Sequence, residues 1–125
     1  MRTLLFIGVA GFLGAVLRYG VGGFVYKYAG TTLPYGTLVV NVVGSLLLGF
    51  LMEFTLRSAL IPVELRMAVG IGFLGALTTF STFSYETFRY IEEGSVLLAT
   101  VNIASNLLLC LVAVWIGIVV ARAAL

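Results

Sequence analysis

The chain has 125 residues, room for one domain, and 62% of them are hydrophobic against only 10% charged, with a formal net charge of +2. That balance lies far from the composition of ordinary soluble domains. With no histidine and a single cysteine, Cys110, it lacks the commonest metal ligand, the usual general base and any internal disulfide, which argues against hydrolytic or zinc chemistry.

A bilayer core takes about 20 apolar residues per helical span, so four spans with short links use the whole of residues 1–125 as one transmembrane domain. The first span covers about residues 3–26 and is interrupted by one charge, Arg18. It lacks an Ala-x-Ala type cleavage pattern and reads as a retained span rather than a signal peptide. The second covers about 33–52, opened by Pro34, whose fixed φ suits a first helical turn. The third covers about 63–90, but Gly70, Gly72 and Gly75 precede a hydroxyl cluster from Thr78 to Ser84, so one uniform helix is not expected there. The fourth covers about 96–120. Four spans put Arg2, Arg57, Arg66 and Arg122 on one side and Lys27 and Arg89 on the other, a thin margin for the positive-inside rule. Both a single fixed orientation and insertion in both orientations are compatible with it.

Polar residues inside spans carry the information, because the bilayer already accounts for Leu, Val and Ile. Arg18 shares helical spacing with Gly11, Ala15 and Gly22; it either draws anions to a wet cavity or snorkels to head groups. On the second span Thr37, Asn41, Gly44, Ser45 and Gly49 form one stripe, suited to lining a polar path or to packing helices. The fourth span repeats this with Asn102, Ser105, Asn106, Cys110, Ala113 and Gly117. Amide hydrogens donate without full charge, so they can replace water around an anion and still release it. In the third span the hydroxyls can bond backbone carbonyls and support a break at membrane depth. A break exposes carbonyls suited to a small cation, while the start of the next half helix favours anions. Phe80 and Phe83 lie three apart, and their ring edges carry positive partial charge, although packing alone also explains such a pair. Glu86 is a secondary candidate, as a surface charge or a partner of Arg89.

Gly14-Ala15 with Arg18-Tyr19, Gly36-Thr37-Leu38 with Val40-Asn41 and Gly44-Ser45, and Gly72-Phe73-Leu74-Gly75 with Thr78-Thr79-Phe80-Ser81-Thr82-Phe83-Ser84 resemble the Fluc (CrcB) fluoride channel family over nearly the whole chain. The resemblance implies an all-α protein of the bacterial plasma (inner) membrane, with the third of four helices broken near mid-membrane. It also implies an antiparallel, dual-topology homodimer with two pores that exports fluoride passively. By the same resemblance Phe80 and Phe83 line each pore, Asn41 donates a hydrogen bond to fluoride, and Thr37, Ser81, Thr82 and Asn106 add polar wall. Arg18 sits at the vestibule, and Gly75 and Thr78 hold a structural sodium ion through backbone carbonyls at the dimer centre. Asn102 and Asn106 depart from the tyrosine and serine typical of relatives, yet both still hydrogen-bond. Expected partners are fluoride, a second copy of the chain and the lipid bilayer, and not nucleic acid.

Fluoride holds its water strongly, and one fixed cation in the path would trap it. No Lys or Arg occurs from Thr31 to Met52 or from Met67 to Phe88, which leaves a neutral conduit. The alternative is a proton-coupled small multidrug exporter, which needs a membrane-embedded carboxylate. The acids here lie near span ends. A third possibility is a membrane subunit that packs and transports nothing; an enzyme has no evident base to activate a nucleophile.

Overall fold

Proline-free, strongly apolar sequence between Arg2 and Ala29 permits one uninterrupted helix, α1, which ends where Gly30 takes a positive φ of 83°. The computed structural model describes all of residues 1–125 and contains helices and turns without strands. Pro34 precedes α2 (Tyr35–Arg57) and Pro62 precedes α3 (Val63–Met67), each placed where its missing N–H is not needed. A wide π-helical turn over Ala68–Leu74 leads to α4 (Gly75–Leu77). Thr78 and Thr79 are extended, with ψ of 154° and 119°, and the helix restarts as α5 (Phe80–Glu92). Gly94, with φ 76°, turns the chain into α6 (Val96–Ala123).

Four helical segments are long and apolar enough to cross a membrane: Arg2–Ala29, Tyr35–Arg57, Val63–Glu92 and Val96–Ala123. At 1.5 Å per residue α1 measures roughly 42 Å, the thickness of a bilayer with its headgroup layers. Only 17 of 125 residues are buried, and apart from Val40, Leu74, Leu77 and Phe83 they are alanine, glycine, threonine and asparagine. Large apolar side chains such as Leu4, Phe12, Leu97 and Trp115 point outward. This distribution suits a bundle whose solvent is lipid, where helices meet through small residues.

Glycines set how closely the helices approach. A Cβ on Gly117 would press on the backbone of Leu46 and Phe50, and one on Gly49 would lie 2.5 Å from Val114 O. These two positions make α2 and α6 the most extensively paired helices. At the other seam Gly14 abuts the Phe73 carbonyl and a Cβ on Gly72 would come 2.5 Å from Ile7 O, so α1 docks on the π-helical turn. At one end of the bundle Glu53 accepts from Arg57 Nε (2.5 Å) and Arg122 Nε (2.8 Å), tying α2 to α6. At the end of α5, Tyr90 donates to Thr32 O in the α1–α2 link at 2.8 Å.

Candidate functional site

Two threonines stop the helix that begins at Val63. Both the backbone N–H and the hydroxyl of Thr78 donate to Leu74 O, at 3.0 and 2.9 Å. The next amide, Thr79 N, would close a turn on Gly75 O but donates instead to Asn41 Oδ1 at 2.8 Å. Asn41 returns a bond from Nδ2 to Thr79 O at 3.1 Å. A side-chain amide on α2 thus pairs with both backbone groups of one residue, replacing the helical partners that the extended backbone gives up. Thr79 also restarts the helix: its hydroxyl accepts from Thr82 N at 3.2 Å, an N-cap for α5, and donates to Thr82 Oγ1 at 3.0 Å. Gly44 gives the room, since a Cβ there would overlap the Thr78 methyl.

The Thr79 peptide fixes the orientation of three asparagine amides. Its N–H must meet an oxygen and its carbonyl must meet a donor, which determines how the Asn41 amide stands. The Asn41 Nδ2 group also donates to Asn106 Oδ1 at 3.1 Å. Asn106 therefore turns its own Nδ2 toward Asn102, donating to the Asn102 carbonyl (3.0 Å) and to Oδ1 (3.1 Å). Asn102 Nδ2 donates to Thr87 Oγ1 at 2.9 Å, and Thr87 donates to Phe83 O at 2.8 Å. A one-way ladder of hydrogen bonds thus runs from the helix interruption at Thr79, through Asn41 on α2, along α6, and back to α5. Thr79, Thr87, Asn102 and Asn106 are the buried polar residues of the chain.

Most of the residues singled out from the sequence gather around two cavities. One, of about 320 Å³, is lined by Asn41, Gly75, Thr78, Phe80, Phe83 and Asn106, together with Ser45 and Cys110, and carries no charged side chain. The Phe80 and Phe83 rings lie 5.4 Å apart, tilted by 57°. Phe83 is 7% exposed and Phe80 74%, so the second ring lies on an open face of the chain. The other cavity, of about 670 Å³, brings Arg18 to Thr37 and Thr82. Arg18 has no carboxylate partner. Thr79 contributes to both walls and so stands between them. Ser81 is exposed and lines neither cavity; its hydroxyl is 3.4 Å from that of Thr79.

Two features lay outside the sequence expectation. Thr37 donates to Glu86 Oε1 at 2.8 Å, while Glu86 Oε2 is buried without a hydrogen-bond partner, so this acid belongs to the α2–α5 interface and does not pair with Arg89. Arg89 pairs with Glu92 and Glu93, each at 3.4 Å. Thr87 is the second feature. The i, i+4 relation of Phe83 and Thr87 is visible in the sequence, but its link to Asn102 is not.

A profile of the CrcB-like protein family, Camphor Resistance (CrcB), matches residues 5–118. A protein of Citrifermentans bemidjiense called fluoride-specific ion channel FluC is 55% identical over 123 residues, covering 98% of this chain and 99% of its own length. Proteins of the same name from Geotalea daltonii and Geobacter sulfurreducens are 53% and 51% identical over 122 residues, each covering 98% of both chains.

Proposed function

The chain belongs to the CrcB family, and from that membership we propose that it is a fluoride-selective channel of the bacterial plasma membrane that lets fluoride leave passively. The observation that carries this reading is identity above 50% across almost the whole of relatives named as fluoride-specific channels. The protein is a multi-pass membrane protein and not an enzyme.

Its interior chemistry supports the assignment. The smaller cavity offers ring edges, hydroxyls and amides without any formal charge, so it can replace water around an anion by many weak contacts. Arg18, in the wider cavity, raises the local anion concentration without standing in the uncharged passage. We assign Phe80, Phe83, Asn41, Asn106, Thr37 and Thr82 to the path and Arg18 to its vestibule; Ser81, which lines neither cavity, is left out of it. The third span is then a broken helix with its interruption at membrane depth.

The active assembly in this reading is an antiparallel homodimer with two pores. The near balance of positive charge on the two sides and the open apolar face carrying Phe80 support it. Gly75 and Thr78 would hold a structural sodium ion between the subunits. The donor set fits: a small hard cation takes oxygen ligands, and the amide that would normally occupy Gly75 O is diverted to Asn41. The cation would neutralise carbonyl dipoles exposed where the helix stops.

The test is fluoride efflux from liposomes holding the purified protein, read by a fluoride electrode, with a potassium ionophore to relieve voltage. Rapid fluoride release with negligible chloride leak is expected. Absence of release from well-folded protein overturns the reading in favour of a carrier or a packing subunit.

A further inference from the structure

The bond from Asn102 Nδ2 to Thr87 Oγ1 is the one side-chain hydrogen bond between α5 and α6. Elsewhere along this seam Phe83, Phe88, Ile91, Ile103 and Leu107 gather around one space, and hydrophobic attraction between such side chains is non-directional. Thr87 has a single hydrogen, and it is engaged by Phe83 O at 2.8 Å. It therefore has no donor left for an anion and can only accept from Asn102. The bond it accepts falls on the helical turn that begins with Phe83. Thr87 is 7% exposed and Asn102 3%, and neither lines the cavity shared by Asn41, Asn106, Phe80 and Phe83, although Thr87 borders a separate, mostly apolar space of about 340 Å³ behind the two rings.

We propose that Thr87 and Asn102 are positioning residues for conduction: they fix the height and rotation of α5 against α6 and so hold the Phe83 ring at the cavity wall without touching the ion. This rests on the fluoride-channel reading above. The rest of α5 is tied elsewhere, at its start by Asn41 through Thr79 and on its α2 side by Thr37 through Glu86. Only the Asn102–Thr87 rung sets it against α6. Rotation by one residue about the α5 axis, 100°, would carry Phe83 off the wall.

Thr87→Val keeps the shape and deletes the rung; Asn102→Leu deletes it from the other side, together with the Oδ1 that accepts from Asn106 Nδ2, and guards against a folding defect peculiar to one variant. Two measurements are made on each: initial fluoride efflux from liposomes, and the ¹⁹F resonance of 4-fluorophenylalanine placed at position 83. Each single variant is expected to slow efflux roughly threefold or more, the factor equivalent to about 0.6 kcal/mol, the average for one interhelical hydrogen bond in a membrane. Each should also shift the resonance. The double variant should be no slower than Asn102→Leu alone, and Thr87→Ser, which keeps the hydroxyl, should restore both readings. An unmoved resonance in both single variants, additive slowing in the double variant, or failure of Thr87→Ser to rescue overturns the positioning role. A parent protein that passes no fluoride overturns the channel reading itself, and the resonance distinguishes the two failures.

Discussion

Replacing Asn41 tests whether its amide serves the ion or the backbone. Asn41 makes three hydrogen bonds, two with the Thr79 peptide and one with Asn106. Asn41→Leu, close in volume, removes all three and leaves polar atoms of residues that are 9% and 5% exposed without partners. Interhelical hydrogen bonds in membranes average about 0.6 kcal/mol and reach about 1.7, so three of them amount to roughly 2–5 kcal/mol. Asn41→Asp keeps the bond from Thr79 N but sets a carboxylate oxygen against Thr79 O and Asn106 Oδ1, each 3.1 Å from the present nitrogen. Asn106 can relieve the second clash by turning its amide, but that breaks its bonds to the Asn102 carbonyl and Oδ1. Both variants should therefore lose at least tenfold in fluoride efflux and melt several degrees lower in detergent, followed by size-exclusion after heating. If repulsion of the anion were the whole effect, Asn41→Leu would keep much of its flux and its thermal midpoint. Parent-like flux and stability in Asn41→Leu would refute the clamp.

Phe80→Ile and Phe83→Ile should each sharply reduce fluoride efflux, since both rings face the uncharged cavity. Phe83→Ile should also melt lower, because its ring is buried within the chain. Gly117→Ala forces a Cβ onto the Leu46 and Phe50 backbone and should destabilise the fold by about 1–3 kcal/mol in a reversible unfolding assay. Gly20→Ala, with nothing within 4 Å, should not destabilise it. Glu53→Gln removes both ion pairs at the bundle end, where the arginine side chains are more than half exposed. A small loss of thermal midpoint that vanishes in high salt, with flux unchanged, is expected.

Hydropathy alone revealed four apolar helices, because a bilayer imposes length and composition on each span directly. The small-residue stripes were equally readable, and Gly49 and Gly117 do lie where α2 and α6 come closest. The π-helical turn was not legible: glycines at 70, 72 and 75 permit it, but the wider hydrogen-bond spacing leaves no distinct residue period. Nor were the partners of the polar residues. Asn41 was recognised as polar and inward, yet its pairing with the Thr79 peptide depends on how α2 meets the helix interruption. Thr87 looked like any hydroxyl on a half-exposed helix, since its link to Asn102 spans 15 residues.

The ladder also bears on why a polar interior need not hold an anion. A free buried amide would bind fluoride by a full charge-assisted bond of about 1.5–3 kcal/mol, and several in series would make a trap. Here the hydrogens of the Asn41 and Asn106 amides, both at the cavity wall, already have carbonyl or amide acceptors. Fluoride drawn to such a donor must displace an existing partner, so each contact exchanges one hydrogen bond for another and gains only their difference. Near-equal exchange at successive positions supports entry and equally supports departure, which conduction requires. The strongest attraction is kept apart, at Arg18 in the wider cavity, where a cation without a carboxylate partner can gather anions without arresting them in the passage.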